Sequence, residues 1–430
     1  MSTRFFLVEA YATQRWEPFE LTRPVGELLF GAHLLRERLE GWVSRTCTGY
    51  LGRPELEGFH EPGSPPVLAN SAATEDPSRP RILLSSLLVP EGDSLTAELS
   101  EGEVREAGGP AIALTVNGEV AGWVLPPNVP LPLPLRELFP ESPPSDVRAH
   151  PVPGRLLRRP WELVSENPAR LATDLAGLAS DEPPPGWRRF EATDPLPSGV
   201  ERVGTHPLLM GPGVTLDPGV VLELSEGPVC LGEGVRVRSF TLLEGPSFVG
   251  SGSTLLGGLI SRVSFGPVCR VRGEVADSVI LGYSNKAHDG HLGHAYLGRW
   301  VNLGAMTTNS DLKNNYGLVR VGTPQGPEDS GLKKVGCFLG DHVKTAIGTL
   351  VGTGTSVGAG SNLFGSDTVS GWVPPFSWGG APGGARYDGD RFLETARLVM
   401  GRRGVELTSG MEGVLARAWK EAVDGGDDRR

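Results

Sequence analysis

From about residue 203 onward the apolar residues recur every six positions. In LGDHVK TAIGTL VGTGTS VGAGSN LFGSDT VSG, Leu339, Val351, Val357, Leu363 and Val369 stand in one six-residue frame, with Thr345 its polar member. Leu297 and Leu303 give a second run, Leu208, Val214 and Val220 a third, and Val229 with Val235 a fourth. Such a period is neither the alternation of a strand nor the ~3.6 of a helix. It fits a parallel β-helix, in which each short strand turns one aliphatic side chain inward and glycines form corners at φ > 0. Between Gly204 and Gly365 lie 31 of the 60 glycines. Three hexads make one triangular coil, and stacked coils bury an aliphatic column beneath long flat faces. A glycine-rich β-sandwich is the alternative, but its strands would alternate with period 2 over longer runs.

Before residue 196 the pattern is mixed α and β. Arg4–Glu9 and Arg81–Val89 read as buried strands, and AIALTV, Asn117-Gly118, EVAGWVL as a hairpin. Gly26–Trp42 carries Leu28, Leu29, Ala32, Leu35 and Leu39 at helical spacing, and Pro160–Ala179 reads as a second helix. Of two proline-rich stretches, 125–153 is taken as a loop within a domain and 181–200 as the boundary. Residues 372–384 read as an extended arm, followed by amphipathic helices over Asp388–Val399 and Glu412–Val423. The domains expected are therefore 1–195, 203–380 and a tail, 381–430.

Composition narrows the function. The chain has 430 residues and a net charge of −11, which opposes a nucleic-acid or anionic-membrane partner. No apolar run is long enough to cross a bilayer, and the first residues lack a signal-peptide core. Cys47, Cys230, Cys269 and Cys337 are far apart, without a CxxC pair, as expected of buried thiols in a reducing, cytoplasmic setting. Residues 284–317 interrupt the hexads and gather His288, His291 and His294 within seven positions, beside Lys286, Asp289, Asn302, Asn309, Asp311 and Lys313. From Arg262 to Lys344 the chain carries ten basic and seven acidic residues, an inverted local charge that suits an anionic small-molecule site. A solvated basic coil surface is the plainer alternative.

The hexads together with KAH…LGHAYLGRWVNLGA…TNSDLKNNY resemble the left-handed β-helix acyltransferases. The closest likeness is to the acetyltransferase half of the bifunctional N-acetylglucosamine-1-phosphate uridylyltransferase/glucosamine-1-phosphate acetyltransferase family. WEPFELTRPVGELLFGAHLLRER and PWELVSENPARLATD resemble the variant sugar nucleotidyltransferase domain that precedes such a helix in a divergent bacterial branch. The resemblance implies an α/β nucleotidyltransferase-like domain, then a left-handed parallel β-helix, then a short helical tail.

It also implies roles. His288, four residues before Leu292-Gly293, matches the family's catalytic base, which takes a proton from a sugar amine as that nitrogen attacks the thioester of acetyl-CoA. Lys286 and His291 flank it as substrate contacts, the latter in place of a family aromatic. Asn302 of VNLGAM matches a substrate-side amide, while Met306 replaces a family glycine. The basic residues for a sugar phosphate do not align; Arg270, Arg272 and Lys313 are candidates by sequence proximity. In the N-terminal domain Arg15, Pro18 and Pro24 match the nucleotide loop, but its glycines fall on Tyr11 and Thr13 and its lysine on Val25, leaving Arg15 and Arg23 as the nucleotide-binding candidates. Histidines can also hold metal, as in β-helix carbonic anhydrases, but the acidic partners used there are not at matching spacing, so no metal ligand set is expected.

The function so implied is acetyl-CoA-dependent N-acetylation of an amino-sugar phosphate such as glucosamine-1-phosphate. Uridylyl transfer from UTP, giving UDP-N-acetylglucosamine for the cell envelope, is the further step if the N-terminal domain is active, and Mg2+ would be needed only then. A homotrimer is implied, with acetyl-CoA between adjacent helices and the tail packed on a neighbouring subunit. The alternatives are a non-catalytic sugar-nucleotide-binding scaffold or sensor, and an acyltransferase acting on another nucleotide-linked amino sugar.

Overall fold

The computed structural model describes residues 3–9, 15–73, 76–92, 94–95, 109–180, 183, 185–380 and 384–427. Tyr11 and Thr13 lie outside them. Among the described residues the hexads form a parallel β-helix whose strands stack into three faces. The first face has ten strands, from Arg188–Phe190 to Trp372–Val373; the second has six, from Glu201–Gly204 to His291–Gly293; the third has ten, from Thr215–Leu216 to Ala385–Arg386. Antiparallel pairs close two ends, Arg188–Phe190 against Leu208–Met210 and Ser377–Trp378 against Ala385–Arg386. The six-residue series points inward: Leu339, Val351, Val357, Leu363 and Val369 are all at most 3% exposed. Each such aliphatic burial contributes roughly 1.5–3 kcal/mol, repeated coil after coil. Thr345 fits the column because its hydroxyl meets that of Thr307 at 2.7 Å and accepts the Gly304 N–H at 3.0 Å.

The interruption is narrower than 284–317. Asn285–Lys286, His291–Gly293, Tyr296–Arg299, Asn302–Leu303 and Thr308–Asn309 remain coil strands, and Cys337–Leu339 resumes beside Tyr296–Arg299. Only the intervening chain leaves the coil, with a short hairpin of Arg320–Val321 and Glu328–Asp329. The rhythm looks broken earlier because corners there are built from Tyr283, His294, Trp300 and Met306 at φ between 46° and 63° instead of from glycine.

The N-terminal sheet comprises β1 (Arg4–Val8), β2 (Gly49–Leu51), β3 (Arg81–Ser85), β4 (Ile112–Val116), β5 (Glu119–Leu125) and β6 (Arg148–Pro151), in the order β2-β1-β3-β5-β4-β6. β2, β1 and β3 are parallel, and β4 and β5 form the hairpin expected at Asn117-Gly118. The helix expected over Gly26–Trp42 is confined to α1 (Leu35–Val43). Ahead of it, Leu29–Phe30 and His33–Leu34 turn through Gly31 at φ 67°, where an added Cβ would lie 2.1 Å from Asp174 Oδ2. Burial on all sides mimics a helical stripe. Arg81–Val89 likewise splits, β3 ending at Ser85 and Leu88–Pro90 pairing with Gly154–Leu156.

α2 (Asn167–Ser180) ends the N-terminal region, and the tail forms α3 (Gly389–Gly401) and α4 (Ser409–Asp427). Phe392, Met400, Met411 and Leu415 share a core with Phe5, Leu39, Trp42 and Leu56, so the tail packs on the N-terminal domain of its own chain. The N-terminal domain in turn lies on the first face of the β-helix. The Tyr296 hydroxyl accepts Leu29 N–H at 2.7 Å and donates to Leu29 C=O at 3.1 Å, and Asn167 Oδ1 accepts from Gly31 N–H and the Ser264 hydroxyl.

Candidate active site

On the third face, Arg270, Asn285, Asn302 and Lys344 are cross-strand neighbours, one per coil. They floor a cavity of about 800 Å³ that also includes Tyr283 and Trp300 on one side and Ala287, His288, Ala305 and Ile347 on the other. The end of α3 roofs it with Val399, Arg402 and Arg403. Arg403 donates to Asn285 Oδ1 at 2.6 Å, and Asn285 donates in turn to Asn302 Oδ1 at 3.2 Å. Tyr283 stacks on Trp300 with centroids 4.5 Å apart, which fixes that wall.

His288 is exposed at the corner leading from the third face to the second. Its backbone is held from below: the Lys286 ammonium donates to His288 C=O at 2.7 Å and to Arg272 C=O at 2.9 Å. Lys286 is 2% exposed and burial pushes its ammonium down to about 8. It thus positions His288 and offers no cavity-facing charge. Met306, the residue in place of a family glycine, holds φ 61° at the equivalent corner one coil on.

The cavity brings together His288, Asn302 and Arg270 from the expected set. The others face elsewhere. His291 and His294 belong to a ladder of opposite charges along the second face and its far corner. There, Asp311 lies 2.7 Å from His294 Nδ1 and 3.9 Å from His291 Nε2, His291 Nδ1 is 3.2 Å from Glu274, and Arg262 pairs with Asp277 at 2.7 Å. Asp311 holds the His291 imidazole above its usual value, and both histidines hold the Asp311 carboxyl well below its own. Arg272 pairs with Asp289 at 3.1 Å and donates to Leu256 C=O, and the Lys313 ammonium caps Leu318 C=O at 2.7 Å. None of these four lines the cavity.

Arg23 is not free to contact a nucleotide. It is 1% exposed; its Nε donates to Asp341 at 2.9 Å and its two amino nitrogens to Glu61 at 3.1 and 3.0 Å, so no free face remains for a phosphate. Asp341 also accepts the Thr22 hydroxyl and Arg299 N–H, each at 2.8 Å, which makes this cluster a weld between the N-terminal domain and the β-helix. Arg15 is exposed and lines a narrow crevice with Glu17, Arg159 and Trp161. At the carboxyl ends of β1, β2 and β3, where ligands of parallel sheets bind, stand Glu9, Arg53 and Ser86. Burial pushes the Glu9 carboxyl up to about 7, and its Oε1 accepts Gly26 N–H at 3.1 Å. Among the described residues no three His, Cys, Asp or Glu side chains are grouped as a metal site.

Asn285, Lys344, Tyr283 and Trp300 were not singled out in the sequence, although the first two sit at the same strand position as Arg270 and Asn302, visible once the coils are aligned. Arg402 and Arg403 had no such signal.

Comparison with known proteins agrees with this two-part architecture. Residues 5–182 match the model of the sugar nucleotidyl transferase family, so the N-terminal region carries a sugar nucleotidyl transferase domain. A 91-residue stretch is 32% identical to a bifunctional sugar-1-phosphate nucleotidylyltransferase/acetyltransferase of Sulfurisphaera tokodaii. The match covers 21% of this chain and 23% of that relative.

Proposed function

We propose that the protein is a bifunctional transferase whose β-helix acetylates the amine of an amino-sugar phosphate, glucosamine-1-phosphate or a close analogue, with acetyl-CoA as donor. The observation that carries this reading is the convergence of His288 with Asn302, Asn285 and basic side chains in one open cavity on a β-helix that follows a sugar nucleotidyl transferase domain. The relative from Sulfurisphaera tokodaii, named for both activities, supports the pairing.

In this reading the His288 imidazole accepts a proton as the neutral sugar nitrogen forms its bond to the thioester carbonyl carbon. The tetrahedral intermediate then expels the CoA sulfur, which leaves as the thiol once protonated, and the products are the N-acetyl sugar phosphate and CoA. A base near neutrality suits this step, and most of the acceleration comes from holding amine and thioester together. Asn285 and Asn302 supply amide contacts to the sugar, and Lys286 keeps the His288 backbone in place. The N-terminal domain would then transfer the uridylyl group of UTP to the phosphate oxygen of the acetylated sugar, with release of pyrophosphate.

A trimer belongs to the same reading. Phe240, Met306 and Ile347, 86, 60 and 79% exposed, share the corner that carries His288 and would be covered by a second copy. The test is CoA thiol release from acetyl-CoA with glucosamine-1-phosphate, for the natural protein and His288→Ala. The variant should fall by about 10²–10⁴-fold. Equal rates would remove His288 from the chemistry, and no CoA release from the natural protein would overturn acetylation of this acceptor.

A further inference from the structure

Four cations converge on the cavity without a carboxylate to answer them. Arg270, Arg402, Arg403 and Lys344 all line it, and among the described residues none of the four forms an ion pair. Arg403 bonds the neutral amide of Asn285, and the Lys344 ammonium donates to His342 C=O at 3.0 Å. Burial and the neighbouring charges of Arg270 and Arg402 push the Arg403 guanidinium below its usual value, and burial takes Lys344 down to about 8. The partial negative charge of the carboxyl end of α3, which Arg402 caps, amounts to about half an elementary charge. That is too little for four cations.

We propose that the end of α3 completes a phosphate-binding site in this cavity, in which Arg402 and Arg403 of the tail, with Arg270 and Lys344 of the β-helix, take a phosphoryl dianion of the substrate. Guanidinium forks match phosphate oxygens in pairs and cost least to gather where an anion neutralises them. Because the tail of the same chain supplies two of the four cations, this charge site is assembled within one protomer, and the tail acts as a specificity element. The inference rests on the acetyl-transfer reading only for the source of the anion, which is either the phosphate of the sugar or a phosphate of CoA.

The test reads the arginines directly. Phenylglyoxal labels accessible guanidinium groups, and peptide mass spectrometry reports the labelling rate at Arg402, at Arg403 and at Arg397, a control on the same helix that is already paired with Glu412 at 3.0 Å. Millimolar inorganic phosphate should slow labelling of Arg402 and Arg403 by about tenfold, the protection expected when charge-assisted bonds occupy the forks, and leave Arg397 unchanged. Arg270→Gln should weaken that protection. Glucosamine-1-phosphate against glucosamine, and CoA against 3′-dephospho-CoA, identify the source by which phosphorylated member protects. Equal labelling rates with and without phosphate, or no protection by either phosphorylated substrate, would overturn the proposal. No acetyl transfer is read, so a protein that binds phosphate but releases no CoA would fail the enzymatic reading alone. His288-dependent CoA release with unprotected arginines would fail this one alone.

Discussion

Two sets of arginines separate the scaffold of this molecule from its site. At the junction of the N-terminal domain and the β-helix, Arg23 and Arg299 are 1% and 6% exposed and share Glu61, with Asp341 closing the cluster. In the cavity on the third face, Arg270 and Arg402 are exposed and, like Arg403, meet no acid. Carboxylates offset the desolvation of a buried guanidinium, and removing one leaves an uncompensated charge. An open cavity can leave the same group unmatched because water solvates it until a ligand arrives. The pairing of a basic residue thus says more about its role than its distance in sequence from a motif: Arg23 stood in the nucleotide segment and is structural, whereas Arg402 stood between two expected tail helices, away from any motif, and lines the cavity.

The largest expected break in this comparison is at the junction. Asp341→Ala leaves Arg23 buried beside an empty acceptor and removes the partner of Thr22 and of Arg299 N–H. Loss of one partner of such a pair costs about 3–5 kcal/mol, so the chemical-denaturation midpoint should drop sharply. Arg402→Gln, at the unmatched end, should leave that midpoint in place. If both variants unfold at the same denaturant concentration as the natural protein, the junction cluster is not a weld.

A smaller effect is expected at Tyr296, which is fully buried and bonds both backbone groups of Leu29. Tyr296→Phe keeps the ring against Phe19 and strands that N–H and C=O between the two domains. The cost is about 1–3 kcal/mol, measurable as a shift of the thermal midpoint, and no shift would mean that the contact is dispensable.

Much of this architecture was legible in the sequence, for a physical reason. A β-helix repeats one local environment, so an inward aliphatic every six residues signals itself many times over, and even polar Thr345 keeps its place in the series. The cavity floor is half-legible by the same logic, since Arg270 and Asn302 occupy equivalent strand positions. What could not be read is whatever depends on contacts across the chain. The three histidines looked like one cluster, yet a coil corner lies between His288 and the other two, sending it to the cavity and them to the charge ladder. Gly26–Leu34 looked helical because residues buried from every side satisfy any period. The roof of the cavity comes from a helix that reaches it only because α3 and α4 pack on β1 and α1, far away in sequence.

The charge ladder sharpens the contrast from the matched side. The Asp311 carboxyl is held below its usual value, so its contribution is present above the unfolded value, about 3.9, and is lost as pH falls through the folded one. The His291 imidazole is held above its usual value, so its contribution is complete below about 6.5 and fades as pH rises through its folded value. The pair is therefore strongest between those limits. Asp311→Asn should cost more at pH 6 than at pH 9, and because His291 is partly exposed the difference should be only about 0.5 kcal/mol in urea unfolding. An equal cost at both pH values would show that the histidine does not titrate against this acid.

The smallest expected effect lies beside the site, and its sign is the informative part. Met306 holds φ 61° at a corner and is 60% exposed, so its side chain gains little from burial while its Cβ sits in the left-handed region. That conformation costs a non-glycine residue about 1–2 kcal/mol. Glycine removes the cost but adds freedom to the unfolded chain, an opposing term of about 0.5–1 kcal/mol. Met306→Gly should therefore stabilise the isolated chain by a few tenths to about 1 kcal/mol in urea unfolding. If the exposed methionine is there to meet a second copy, the same change should weaken self-association in sedimentation experiments while the fold gains stability. A loss of monomer stability instead would mean that the side chain packs on its own coil and that this corner is scaffold, like the arginines of the junction.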